Sequence, residues 1–188
     1  MKKIFTLLTI ATSFAVFAQD EAPKLSISGT VDAYYQTNLS ATDTELQSFG
    51  TSFADETGFA LGMANAIFAY EGEKTGVVAD VVFGPRGDSA VGGYNLNQLY
   101  AYWNITEGTT LTMGRFNTYL GYEVISPAGS FNYSTSYMFS SGPFSMVGLK
   151  GDFTLGETSL MLAIMNPTDV NNNTTGGYAL GAQFGYAG

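Results

Sequence analysis

The residues able to do chemistry in this chain are few, and the charged pair Arg115 and Glu123 comes first. Opposed charges across a narrow watery passage set a transverse field that screens solutes. The alternative is an ordinary loop ion pair, which contributes little. Asp32, Asp80, Gln98 and Asn104 offer a polar row, and Phe131, Tyr133 and Tyr137 offer rings on which sugars can stack. Catalysis has less to work with. The sequence holds no histidine and no cysteine, so a Ser-His-Asp triad and a Cys/His zinc site are both excluded. The acidic pairs Asp55–Glu56 and Glu71–Glu73 fall in expected loops and turns, where nothing holds two carboxyls across a cleft. Arg86-Gly87-Asp88 spells an adhesion tripeptide, but with Pro85 before it the stretch reads as a turn. The oxygen-rich run from Pro167 to Asn173 lacks calcium-loop spacing, and no cofactor is implied.

The elements that must position these residues read as strands. Leu25–Thr37 alternates, with Leu25, Ile27, Val31, Ala33 and Tyr35 on one face and Ser26, Ser28, Thr30, Asp32 and Tyr34 on the other. Seven more apolar segments follow: Phe59–Tyr70, Val77–Gly84, Leu96–Ile105, Thr110–Phe116, Pro143–Phe153, Thr158–Met165 and Gly177–Tyr186. In Phe59–Tyr70 both parities are apolar or small, so its facing stays open. The connectors run to about 21, 6, 11, 4, 26, 4 and 11 residues, long and short in strict alternation. Outer-membrane barrels have this pattern, with short periplasmic turns and longer outer loops. Ten residues at ~3.3 Å, tilted by ~45°, rise roughly 23 Å, close to the ~25 Å apolar band of such a barrel.

Composition agrees. Only 12% of the 188 residues are charged, against about a quarter in soluble domains, while 12 tyrosines, 14 phenylalanines and 23 glycines are present. Lys2 and Lys3 precede an apolar run from Ile4 to Phe17, the pattern of a cleaved signal peptide over residues 1–18. That run is too short to span a bilayer as a helix. The formal net charge is −9, and losing Lys2 and Lys3 takes it to −11, which argues against nucleic acid as a partner. A secreted β-sandwich is the alternative architecture.

The wording around the central hairpin carries a resemblance. Gly114-Arg115-Phe116-Asn117-Thr118, then Leu120-Gly121-Tyr122-Glu123-Val124-Ile125, Phe131-Asn132-Tyr133-Ser134 and Gly142-Pro143-Phe144 follow one another. This part resembles Bacteroidetes outer-membrane porins of the OmpL-like putative β-barrel porin family, closely over Leu96–Lys150 and by pattern on the flanks. The resemblance implies passive diffusion of small polar solutes through a water-filled barrel, with the Asn117–Gly142 loop folded inward to narrow it. It also favours Arg115 in the lumen. Strict alternation with Leu111 and Met113 would instead leave it outward at the rim, so a lumenal Arg115 needs a bulge at Gly114.

The expectation is thus an all-β, transmembrane, antiparallel up-and-down β-barrel over residues 19–188. About eight strands are visible, read as the N-terminal part of a larger barrel. Its setting is the bacterial outer membrane, with lipid and lipopolysaccharide around it and a homo-oligomer of unspecified number as an option. The excess acid suggests a mild cation preference. Most tyrosines, including Tyr34, Tyr35, Tyr100, Tyr102, Tyr119 and Tyr122, are expected in interfacial girdles with Trp103. The functional alternative is a non-conducting barrel for adhesion or envelope anchoring.

Overall fold

The computed structural model describes residues 24–37, 39, 53, 56–92 and 94–187. The signal peptide expected at 1–18, Asp55 and most of the first long loop lie outside the described residues. One antiparallel sheet of eight strands accounts for the fold, in the spatial order β1 to β8. The strands are β1 (Lys24–Gln36), β2 (Gly58–Glu71), β3 (Thr75–Phe83), β4 (Leu96–Thr106), β5 (Thr109–Asn117), β6 (Ser145–Leu155), β7 (Thr158–Met165) and β8 (Ala179–Tyr186). Each pairs with its neighbours in sequence. The short connectors 72–74, 107–108 and 156–157 therefore share one end of the sheet, and 37–57, 84–95, 118–144 and 166–178 share the other. The alternation of connector lengths is realised. Closure is not: among the described residues β1 and β8 each have one strand partner, and the sheet is open between them.

Alternation assigns the faces. On β1, Leu25, Ile27, Val31 and Tyr35 are exposed on one side, and Thr30, Asp32 and Tyr34 lie on the other. The same exposed apolar face continues through Phe68, Val77, Leu99, Trp103, Met113, Leu149, Leu162, Ile164, Leu180 and Phe184. A water-soluble monomer rarely exposes an apolar patch of more than a few hundred Å². Hydrocarbon is the surrounding in which such a face is stable. No helix among the described residues is long and apolar enough to cross a membrane.

Two bulges break the alternation, and both bear on the site. Opposite Asp32 the β1–β2 register slips between Val31↔Ala64 and Ala33↔Leu61, so Gly62 and Met63 together face one residue. Phe59 and Leu61 are exposed before the slip, while Met63 and Asn65 are buried after it. This is why the facing of β2 stays open on sequence alone: its parity changes in mid-strand. The second slip lies between Asp80↔Gln98 and Val81↔Leu96, leaving Asn97 without a ladder partner.

The polar face is covered at the long-connector end. A short helix, α1 (Pro85–Val91), stands where the sequence reads as a turn at Pro85–Asp88. Proline at its first turn and left-handed Gly92 after it are ordinary start and stop signals. A second one, α2 (Tyr137–Ser141), is capped by the Ser136 hydroxyl, which accepts from the Phe139 amide. Ile125 and Phe139 of the 118–144 connector are buried with Phe53, Met63, Val82, Ala90 and Val91. Across the sheet, Phe116, Met146, Met161, Ala163 and Met165 form a second buried cluster. Each fully buried Val, Ile, Phe or Met side chain of this kind contributes about 1.5–3 kcal/mol.

Candidate functional site

The site begins at Asp32, on the polar face of β1. One carboxylate oxygen accepts the Met63 amide at 3.0 Å, a bond that the bulge at Gly62–Met63 makes available. The other accepts the Tyr133 hydroxyl, from the connector between β5 and β6. Gly62 is where these chains meet. A Cβ there would lie 1.6 Å from Asp32 Oδ2 and 2.5 Å from the Tyr133 oxygen. Only a residue without a side chain leaves room for the contact.

Arg86, the second residue of α1, ties the same connector down. It donates through Nε to the Ile125 carbonyl at 2.7 Å and through a terminal nitrogen to the Tyr133 carbonyl at 2.8 Å. Its guanidinium lies 4.8 Å from the centre of the Phe53 ring and 5.5 Å from that of Tyr133. Tyr34 completes the group with its ring 5.2 Å from Tyr133. Burial, then the bond to Asp32 and its charge, push the Tyr133 phenol well above its ordinary value, and Arg86 opposes this in part. The phenol stays protonated and donates. Burial draws Arg86 down, while Tyr133 and Asp32 hold it up.

A second set of polar groups runs across four strands. The Thr30 amide and hydroxyl donate to Asn65 Oδ1 at 2.8 and 2.7 Å. Asn65 donates to Asp80 at 3.1 Å, and Asn97 donates to the other Asp80 oxygen at 2.6 Å. The bulge turns Asn97 onto the polar face. Asp80 is 2% exposed, so its two amide donors supply the stabilisation that water would give it.

Farther along the face, Gln98, Tyr100, Thr112, Phe116, Asn117 and Lys150 line a cavity of about 280 Å³. Lys150 pairs with Asp152 at 2.6 Å, two residues on along β6. Gln98 accepts the Asn117 amide at 3.3 Å, and Asn104 accepts the Thr110 hydroxyl at 2.9 Å.

Asp32, Asp80, Gln98 and Asn104 therefore all lie on the polar face, as alternation places them. Arg115 does not. The β5 register runs unbroken through Tyr100↔Gly114 and Leu99↔Arg115, so Arg115 keeps the parity of exposed Met113 on the apolar face. Gly114 has an unusual φ of 137°, but no residue is inserted there. It is glycine because Leu99 O would lie 2.2 Å from a Cβ. The bulge expected at Gly114 occurs at Asn97, one strand away.

The expected pairing of Arg115 with Glu123 is likewise corrected. Arg115 donates to the Asn97 carbonyl at 3.2 Å and to the Asn171 side chain. Glu123 accepts the Ser136 amide at 2.7 Å and the Ser136 hydroxyl, bracing the start of α2. The aromatic platform is not assembled either. Phe131 is 93% exposed and meets the edge of Tyr122, Tyr137 is exposed on α2, and Tyr133 is turned inward. Tyr34, Tyr100 and Tyr102 share the polar parity rather than the girdle, which leaves Tyr35 and Trp103 on the apolar face. Arg86 and Gly87 are buried, so the tripeptide is not displayed.

Sequence reasoning set Arg86 aside with its turn and passed over Asn65, Asn97 and Lys150. The glycine at 62 is the one local signal that would have turned Asn65 inward; nothing local marks Arg86. No group of acidic residues among those described has the geometry to hold a metal ion.

A comparison with models of known families matches residues 24–188 to the one described as Putative beta-barrel porin-2, OmpL-like. No curated protein and no solved structure matches the chain.

Proposed function

The chain belongs to the Putative beta-barrel porin-2, OmpL-like family, and on that premise we propose that it admits small polar solutes by passive diffusion across the outer membrane. Its strands form part or all of a closed wall, since hydrocarbon leaves no unpaired backbone unpenalised. The apolar face meets lipid and the polar face meets water. The 118–144 connector folds over the polar face and narrows the passage.

The observation that supports this reading is the bond from Tyr133 to Asp32. It joins the β5–β6 connector to β1, four strands away in the sheet, on the polar side. A connector standing away from the wall would not reach that residue. The charges that screen solutes in this reading are Asp32 with Arg86 on one side, and Lys150 with Asp152 on the other. They replace the pair Arg115 and Glu123.

A second reading, a non-conducting barrel for anchoring, is favoured by the apolar residues on the polar face. Met63, Val82, Ile125 and Phe139 are buried there, as the filled interior of a narrow barrel requires. Swelling of liposomes containing the full chain decides between the two. Swelling that falls with solute size supports diffusion, and none at saturating incorporation supports the anchor.

A further inference from the structure

Arg115 is a buried cation that the porin reading leaves without a role. It sits on the apolar face, two residues before β5 ends at the 118–144 connector, and it is 8% exposed. Both of its recorded donations go to neutral oxygens, the Asn97 carbonyl and the Asn171 amide. The ion pair found among the described residues, Lys150 with Asp152, lies on the opposite face. An arginine so placed has no carboxylate at contact distance among the described residues, since Asp169, whose charge acts on it, is itself held by the Phe144 and Ser145 amides. A charge removed from water is stable only when paired or fully hydrogen-bonded.

The surroundings indicate what completes it. Arg115 opens onto a cavity of about 330 Å³ whose walls divide by chemistry. Toward the middle of the sheet the walls are Leu96, Leu99 and Val147. Toward the connectors they are Tyr94, Asn171 and Asn172. Tyr94 and Leu99 are exposed, and Asn172 is too. The cavity thus has an apolar floor continuous with the lipid-facing wall, and a cationic, amide-lined top at the level where that wall gives way to loops.

We propose that this groove binds a phosphorylated lipid of the outer leaflet. Its phosphate would sit against Arg115, Asn171 and Asn172, and an acyl chain would lie over Leu99 and Val147. Arginine meets phosphate with paired, charge-assisted hydrogen bonds, and asparagine amides add donors. The apolar floor selects an amphiphile over a free anion. This site is independent of conduction, because it lies on the other face of the sheet from Asp32 and Arg86.

The test uses the full chain purified in neutral detergent, with retained lipid measured by native mass spectrometry. The probes are lipid A, its dephosphorylated form, phosphatidylcholine and inorganic phosphate. Wild type should retain lipid A about tenfold better than the dephosphorylated form, the scale of one charge-assisted contact. Phosphatidylcholine, whose one phosphodiester charge is balanced by its own choline, should be retained no better than the dephosphorylated form, and inorganic phosphate should not displace lipid A. Arg115→Gln should lose the preference. Asn172→Asp, an exposed change that leaves Arg115 in place, should lose it too, by putting an anion beside the phosphate. Lys74→Gln, in a turn at the far end, should keep it. Equal retention by wild type and both variants overturns the proposal, as does equal retention of phosphorylated and unphosphorylated lipid. Displacement by inorganic phosphate would make the site one for free anions and overturn the lipid assignment.

Discussion

The Tyr133 hydroxyl donates to the Asp32 carboxylate across 101 positions of sequence, and this contact fastens the longest described connector to the first strand. A hydrogen bond to a charged acceptor is worth about 1.5–3 kcal/mol. Tyr133→Phe removes it while keeping the ring beside Tyr34. The connector should then open more often. Single-channel conductance is expected to rise, and protease should cut within 118–144 faster than in wild type. Unchanged conductance and unchanged cutting would show that the contact does not hold the connector.

The same phenol makes the fastening sensitive to alkali. Its folded value is raised above the ordinary ~10, so the contact is fully present below that pH and is lost as pH rises through the folded value. Protease sensitivity of 118–144 should be flat from neutrality to about pH 10 and climb only above it. Tyr133→Phe should show no such climb. A climb beginning near neutrality would assign the effect to another group.

Gly62 and Tyr133 should act as one unit. A methyl at position 62 would overlap Asp32 Oδ2 and displace it from the Tyr133 hydroxyl. Gly62→Ala should raise conductance as Tyr133→Phe does, and the double variant should add little to either. Additive effects in the double-mutant cycle would mean that the two residues are not coupled.

Asp80 is expected to matter for stability more than for transport. Asp80→Leu leaves the Asn65 and Asn97 amides without an acceptor, at about 1–3 kcal/mol for each buried group. Asp80→Asn keeps one acceptor and should lose less. Unfolding in urea from detergent, followed by gel mobility, reads the difference. Equal stability of the two variants would contradict the network.

Arg86 is the cation whose charge acts on Asp32 on the polar face. Arg86→Gln should shift the reversal potential in a salt gradient toward cations, because Asp32 is then left without a nearby positive charge. Lys74→Gln, in a turn at the other end, should not. A null result for Arg86→Gln would remove it from the screening role.

What the sequence made legible follows from how local each signal is. β1 is readable because it keeps a period of two from Leu25 to Tyr35. The ladder of β1 through β8 is readable because connector lengths alternate. β2 is not, because the bulge at Gly62–Met63 exchanges its faces, and a period cannot be counted across a slip whose position is unknown. A lumenal Arg115 needs a bulge at Gly114, and Asn97 carries it instead. Both strands have the residues for one, and only the register decides. Arg86 and Tyr133 are 47 positions apart, and Tyr133 and Asp32 lie farther still. No spacing rule connects such residues. They meet only once the sheet has formed.

The slip in β2 also settles what a deletion would do. Removing Met63 would erase the slip and bring Ala64 onward into step with Phe59 and Leu61, so Asn65 would stay on the polar side and Phe68 toward hydrocarbon. Losing Ala66, beyond the slip, would instead invert every later side chain in that ribbon. Most point substitutions leave this ordering intact, so single deletions in β2 away from the slip should be tolerated far less than the loss of Met63.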